Sequence, residues 1–232
     1  MWPLFTHVCG ARRYFINATP LTITDTPRFP HRGLLVDTSR HFLPLPTLHS
    51  IIDSLTVAKL NTLHWHLVDS QSFPFDSPSY PLLGKAGSYS PQERYTPSDV
   101  TSIVSYAAAR GVRVMVEIDT PGHAASWCAG YPDVCPDVAN GCLEPLNPSA
   151  NATFELLEGL FGDVAGLFPE TLMHLGGDEV NTDCWDDTAV IAEWMAENDM
   201  DSSSTYAWFI AKVQKIAQGL GKEVIGWEVS RG

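Results

Sequence analysis

Positive charge is scarce in this sequence. Fourteen Lys and Arg stand against 27 Asp and Glu, a formal net charge of −13. Nucleic acid is a poor partner for such a chain, because phosphate binding needs a basic face. Anionic membrane surfaces are poor partners for the same reason, and a neutral or cationic small ligand is easier to accommodate. Long apolar runs are missing too. None approaches the roughly 20 residues that span a bilayer, so no membrane insertion is expected. The start, Met1-Trp-Pro-Leu-Phe-Thr-His-Val-Cys, lacks the basic residues and the roughly 7–15-residue apolar core of a signal peptide. Either the gene product begins elsewhere or the chain is not exported. Five cysteines are present, Cys9, Cys128, Cys135, Cys142 and Cys184, but no Cys-x-x-Cys with a matching His pair, so no zinc site is expected. No Gly-rich phosphate loop follows the first strand, which argues against a dinucleotide. No cofactor is expected.

What is present reads as one folded domain with a large core: 232 residues, 44% hydrophobic and 18% charged. Residues 1–31, rich in Thr, Pro and Arg with a short strand-like piece at Arg13-Tyr-Phe-Ile-Asn, form a lead-in; residues 32–232 form the domain proper. From Arg32 onward strands alternate with helices. Gly33-Leu-Leu-Val-Asp37 is a strand, followed by helical spacing over Pro46 to Leu60. Leu63 to Asp69 is a second strand, and a long Ser/Pro/Gly loop runs from Ser70 to Tyr95. Thr96-Pro-Ser-Asp99 opens a helix ending at Arg110–Gly111. Val112 to Asp119 is a third strand, and the loop 124–150 carries three cysteines. A helix over Ala152–Phe168 precedes a fourth strand, Thr171 to Glu179. Helices over Ala189–Glu197 and Thr205–Leu220 lead to a fifth strand, Glu223 to Glu228.

Strands separated by helices predict an α/β fold with a parallel sheet of the (β/α)8 TIM-barrel type. Asp37, Asp69, Asp119, Asp178, Glu179 and Trp227 fall at or beyond the C-terminal strand ends, the face on which barrels place their chemistry. An open doubly wound sheet would use the same ends. Five strands fall short of the eight that close a barrel, so most of a barrel is expected with its last part absent.

Asp178 and Glu179 follow a Gly-Gly pair, which lets backbone and substrate approach closely. Neighbours on a regular strand face opposite ways, so both acids can enter one pocket only where the strand gives way to a loop. Glycoside cleavage needs a proton donor beside the leaving oxygen and a second group that stabilises positive charge at the anomeric carbon. Two carboxylates at close quarters repel, which favours a proton on one of them. Alone, this motif reads more readily as a turn with two solvated acids.

Four motifs in order change that reading: Arg32-Gly-Leu-Leu-Val-Asp-Thr-Ser-Arg40-His, Lys59-Leu-Asn-Thr-Leu-His-Trp-His-Leu-Val-Asp69, Glu117-Ile-Asp-Thr-Pro-Gly-His123 and His174-Leu-Gly-Gly-Asp-Glu-Val-Asn. Across roughly residues 29 to 229 the chain resembles glycoside hydrolase family twenty, the β-N-acetylhexosaminidases. The resemblance implies removal of terminal non-reducing β-linked N-acetylglucosamine or N-acetylgalactosamine by substrate-assisted retention. The substrate would be an amino-sugar glycoside: an oligosaccharide, a glycoconjugate or a chitin fragment. Glu179 is then general acid and base, and Asp178 positions the 2-acetamido nucleophile. Arg32 is expected to hold sugar hydroxyls, Asp69 and His123 to tune Glu179 from behind, and Trp227 to wall the acetamide pocket. Cys142 and Cys184 are implied to form a bridge; for Cys128 and Cys135 a local bridge and free buried thiols both stay open, and Cys9 is left over. Ser70 stands where relatives often carry a second acid, which is expected to loosen hydrogen bonding in that pocket.

The sequons Asn17-Ala-Thr and Asn151-Ala-Thr, with the family, point to the secretory pathway, a lysosome or vacuole, or the exterior. Homodimerisation is an expectation for a full-length form. Two rival readings remain. His64-Trp-His66 imitates the His-x-His ligands of metal-dependent barrel hydrolases, although packing and hydrogen bonding also explain both rings, and His174 likewise. A truncated chain that binds sugar weakly, with little turnover of its own, is the other.

Overall fold

The protein is described by a computed structural model over residues 20–227, with two short strands before them at 6–7 and 14–15. The residue Cys9, the sequon at Asn17 and the residue Glu228 lie outside the described residues. The lead-in pairs β1 (Thr6–His7) with β2 (Tyr14–Phe15) in antiparallel register. Its second strand falls in the strand-like piece noted above.

Five strands make the main sheet: β3 (Gly33–Asp37), β4 (Thr62–Val68), β5 (Arg113–Ile118), β6 (Leu172–His174) and β7 (Glu223–Ile225). They lie in sequence order and every pair is parallel. This is the five-stranded part of a (β/α) barrel that the strand–helix alternation predicts.

The strand β4 shows how the sheet sorts its residues. All seven positions are buried, so the alternation is between two kinds of interior. Leu63, Trp65 and Leu67 join the apolar layer under the helices, where Trp65 meets Tyr95 and Phe168 edge-on. Thr62, His64 and His66 alternate with them and face the opposite side, the lumen of the barrel. Bulky apolar side chains therefore hold the helices, and hydrogen-bonding side chains fill the lumen.

The helices follow from local chemistry. The helix α1 (Leu45–Val57) packs Leu48, Ile52 and Leu55 inward. Within the long loop after β4, Pro81–Gly87 forms α2, a helix the pattern of Ser, Pro and Gly conceals. For α3 (Pro97–Ala108), Thr96 and Asp99 form a reciprocal capping box and Gly111 turns the chain out at φ 71°. The loop 124–150 is organised by three short 3-10 turns. Then come α4 (Asn151–Leu167), α5 (Asp183–Asp187), α6 (Ala189–Glu197) and α7 (Ser202–Gly219). No helix among the described residues is long and apolar enough to cross a membrane.

Two disulfides pin the upper loops. Cys128 pairs with Cys135, seven residues away, and Cys142 pairs with Cys184 at a separation of 42. A chain-entropy treatment assigns about 4 kcal/mol to the longer closure and about 2.5 kcal/mol to the shorter. Replacing Cys142 and Cys184 with Ser should therefore cost more unfolding free energy than replacing Cys128 and Cys135. Urea titration of the two double variants measures the difference.

Candidate active site

The site forms where β4, β5 and β6 end. The strand β6 stops at His174, five residues earlier than the pattern Thr171 to Glu179 predicts. The reason lies in the backbone: Gly176 and Gly177 adopt φ of 67° and 96°, a left-handed conformation that breaks the pairing. The first of these has no room for a side chain. A Cβ on Gly176 would sit 1.8 Å from Asp119 Oδ1, and the same oxygen accepts the Gly177 N–H at 2.8 Å. Asp119 thus occupies the space that Gly176 leaves free. Tyr206, from α7, donates to the Gly177 carbonyl and holds the turn from the other side.

Beyond this turn stand the two acids. Glu179 itself has φ 54°, and its side chain is 76% exposed with Oε2 3.6 Å from His123 Nε2. Asp178 is half-buried. One oxygen each from Asp119 and Asp178 and a ring nitrogen of His123 lie within 4.8 Å of one another. His123, also at φ 54°, turns its Nδ1 toward Asp69 Oδ1 at 3.2 Å. Asp69, fully buried after the irregular end of β4, also accepts from His66 Nε2 at 2.7 Å and pairs with Arg40 Nη2 at 2.8 Å. Asp69, His123 and Glu179 are therefore brought together as the motifs predict.

Arg32 is not. It precedes β3, at the N-terminal end of the sheet, and spends its guanidinium on backbone carbonyls of Lys59 and Phe29 at 2.8 and 2.7 Å. Five residues of extended strand, about 16 Å, separate it from the C-terminal face. The expectation that Arg32 grips sugar hydroxyls is thus corrected. The arginine at this face is Arg40, whose Nη1 reaches Asp37 and whose Nη2 reaches Asp69, both at 2.8 Å. Strand polarity is the signal that separates the two, because Arg40 lies past the strand's C-terminal end.

Ser70 also departs from expectation. Its Oγ donates to Glu144 Oε2 at 2.6 Å, and that oxygen accepts the Ala124 N–H at 2.8 Å just after His123. The position is tied rather than loosened. Glu144, His123, Glu179, Asn181 and Asp183 line a cavity of about 250 Å³ beside the acid pair. Cys184 forms part of its wall, so the Cys142–Cys184 bridge shapes the approach to Glu179.

Behind these groups lies Glu117, fully buried on the lumen face of β5. It meets His64 Nε2 at 2.6 Å, His66 Nδ1 at 3.0 Å, His174 Nδ1 at 3.1 Å and Trp227 Nε1 at 3.0 Å. Trp227 also stacks on His64 and leans against His174. Burial works against charge on His66, but its hydrogen bonds to Asp69 and Glu117 prevail and push its pKa up to about 10. Burial likewise works against the Glu117 and Asp69 carboxylates, yet histidine donors hold both below the ordinary carboxylate range. For His123 the Asp69 contact dominates and raises the pKa, while burial raises that of Asp119. His66 has a carboxylate facing each ring nitrogen, and these ion pairs account for the burial of the His64 and His66 rings by hydrogen bonding.

A parallel β/α sheet with its acids gathered at the C-terminal strand ends defines a (β/α)-barrel-type domain with its candidate site on that face. Residues 29–230 match the family model described as glycosyl hydrolase family 20, catalytic domain. Beta-hexosaminidase 3 of Arabidopsis thaliana is 51% identical over 213 residues, covering 92% of this chain and 39% of that protein. The human beta-hexosaminidase subunit beta is 41% identical over 214 residues, covering 89% and 38%. Among solved structures, the Flavobacterium johnsoniae chitobiase superposes with TM-score 0.81 at 33% identity, covering 89% of this chain and 32% of its own. The exo-β-N-acetylglucosaminidase of Vibrio harveyi, in complex with N-acetylglucosamine, gives TM-score 0.82 at 26% identity, covering 90% and 37%. The chain belongs to glycosyl hydrolase family 20. It spans about two fifths of the length of the curated relatives it matches.

Two outcomes follow for the site. Gly176→Ala forces a methyl group into Asp119 and should cost about 3 kcal/mol or more in urea unfolding. Stability should also depend on pH in a defined sense. His66 titrates near 10 when folded against 6.5 ordinarily, so its contribution is complete below pH 6.5 and is lost as pH climbs toward 10. Glu117 and Asp69 lie below their ordinary 4.5 and 3.8, so theirs is complete above those values and lost as pH falls. Asp119, raised by burial from 3.8 to about 7, works against the fold as pH climbs through that range, so resistance to urea, followed across pH, should peak near pH 4.5 and fall further above 6.5.

Proposed function

We propose that this chain carries the acid pair of a β-N-acetylhexosaminidase, which removes terminal non-reducing β-linked N-acetylhexosamine from a glycoside. The observation that carries the reading is the placement of Glu179: an exposed carboxylate at a strand end, backed by the His123–Asp69 pair, with Asp178 beside it. In this scheme Glu179 gives its proton to the glycosidic oxygen as the bond to the anomeric carbon breaks. The substrate's own acetamide oxygen attacks that carbon, so the nucleophile belongs to the sugar and the usual spacing rule for two carboxylates does not apply. Asp178 accepts the acetamide N–H, which orients the group and supports positive charge on the resulting ring. Glu179, now ionised, takes a proton from water as it opens the intermediate with net retention.

The remaining residues have supporting roles. His123 presents Nε2 to Glu179 while Asp69 holds its Nδ1, an arrangement that fixes the ring and places positive charge beside a group that gains and loses a proton. Trp227, whose indole lies in the lumen, forms an apolar wall for the acetamide methyl. Arg32 takes no part. The two disulfides and the exposed Asn151 sequon at the start of α4 support passage through an oxidising, secretory compartment.

Turnover of an aryl N-acetyl-β-glucosaminide should fall on the order of 10²–10⁴-fold in Glu179→Gln; retained turnover in that variant sinks the assignment. Asp178→Asn should weaken binding of a thiazoline mimic of the cyclised acetamide by tenfold or more in calorimetry. Unchanged affinity there would remove Asp178 from the acetamide site.

A further inference from the structure

The four rings around Glu117 come from different parts of the domain. His64 and His66 stand on β4, His174 stands on β6, and Trp227 follows β7. Each carboxylate oxygen serves two of them: Oε2 meets His64 and His66, and Oε1 meets His174 and Trp227. A fully buried carboxylate is expensive to desolvate and is held only when its partners are satisfied; here His64 and Trp227 hydrogen-bond to it, and His66 and His174 face it, the latter also accepting the Gly176 N–H. It also bridges two regions of the site. On one side is the indole of Trp227. On the other, His66 passes from Glu117 to Asp69, Asp69 to His123, and His123 to Glu179, through contacts of 3.0, 2.7, 3.2 and 3.6 Å.

We propose that Glu117 is a positioning residue for the reaction: it sets the plane of the Trp227 indole and, through His66 and Asp69, the tautomer and orientation of His123 behind Glu179. Glu117 touches neither sugar nor reacting atoms. Its effect passes through hydrogen bonds that only an acceptor on both oxygens can make. With Nδ1–H of His66 committed to Glu117, Nε2–H is left for Asp69. Asp69 Oδ1 in turn faces Nδ1 of His123, which Arg40 Nη2 also approaches at 3.3 Å, so the nitrogen that faces Glu179 is Nε2. The charged and titratable groups facing His66 are Glu117 on β5, Asp119 just past β5, Asp69 beyond β4 and His64 on its own strand, with Asp37 across from it in register on β3. Arg40 and His123 reach it through Asp69.

This inference rests on the roles given above to Trp227 and Glu179, and the test separates the two. Histidine side chains of the ¹⁵N-labelled chain are followed by NMR across pH in the unmodified protein and in Glu117→Gln, alongside the pH profile of aryl N-acetyl-β-glucosaminide turnover. Glutamine keeps the shape but turns one acceptor into a donor that faces donors. In the unmodified protein both nitrogens of His66 are expected to be protonated at pH 8; in Glu117→Gln one should have lost its proton there. The kcat should fall about 10–100-fold, with its alkaline limb moved down by a pH unit or more. A His66 that is neutral at pH 8 in the unmodified protein overturns the proposal with no variant needed, and so do identical His66 spectra in the two proteins. Lower turnover with an unmoved pH profile overturns it as well, since a merely structural residue gives that result. The histidine spectra decide the matter whether or not the chain turns over glycoside. Failure of the acid assignment shows separately, as retained turnover in Glu179→Gln.

Discussion

The site depends on one steric fact: the Asp119 carboxylate fills the volume beside Gly176 that any other residue would need. That contact, with the Gly177 N–H bound to the same oxygen, fixes where β6 ends and which way the next two residues leave. If β6 continued as regular strand, Asp178 and Glu179 would face opposite sides of the sheet. Instead a left-handed turn carries both out over the lumen. Asp119 is itself placed by period-two alternation from Glu117, so the glycine turn, the acid pair and the buried carboxylate beneath them share one strand face.

The domain therefore has two interiors with different physics. Between sheet and helices, residues such as Trp65, Phe161 and Phe168 contribute through area removed from water, roughly 25 cal/mol per Å². In the lumen, stability rests on pairing, because each buried charge there is tolerable only with its partners present. Glu117 and Asp69 share His66 between them, and removal of any one group leaves another buried without its counterpart. Such a network adds less net stability than an apolar core of the same volume. What it supplies is orientation, in a region where ring planes and tautomers matter more than packing density.

Much of this was legible in the sequence. Parallel β/α order followed from the alternation of apolar runs with helical spacing, and Thr96-Pro-Ser-Asp99 marked the start of α3 through cap chemistry alone. Asp69, His123, Asp178 and Glu179 lay at strand ends and were found there. Arg32 does not reach that face, because it lies before its strand and Arg40 after. Glu117 does carry a signal in the sequence: it sits two residues before Asp119 and so on the same face. Tyr206 had no such signal, since its bond to Gly177 depends on how α7 crosses the sheet. The helix α2 was hidden in a stretch whose Pro, Gly and Ser content reads as loop, and its packing against the loop after β5 is tertiary.

His123 and Glu179, the two residues nearest the proposed proton transfer, both hold a backbone conformation that costs a non-glycine residue on the order of 1 kcal/mol. Glycine at either position would relieve that strain and abolish the side chain's chemistry. His123 also partners the buried Asp69, so its strain is offset, whereas nothing in the scaffold offsets that of the exposed Glu179. A search of variants for heat resistance alone would thus reward loss of the acid, and any programme to harden this domain has to select for turnover at every round.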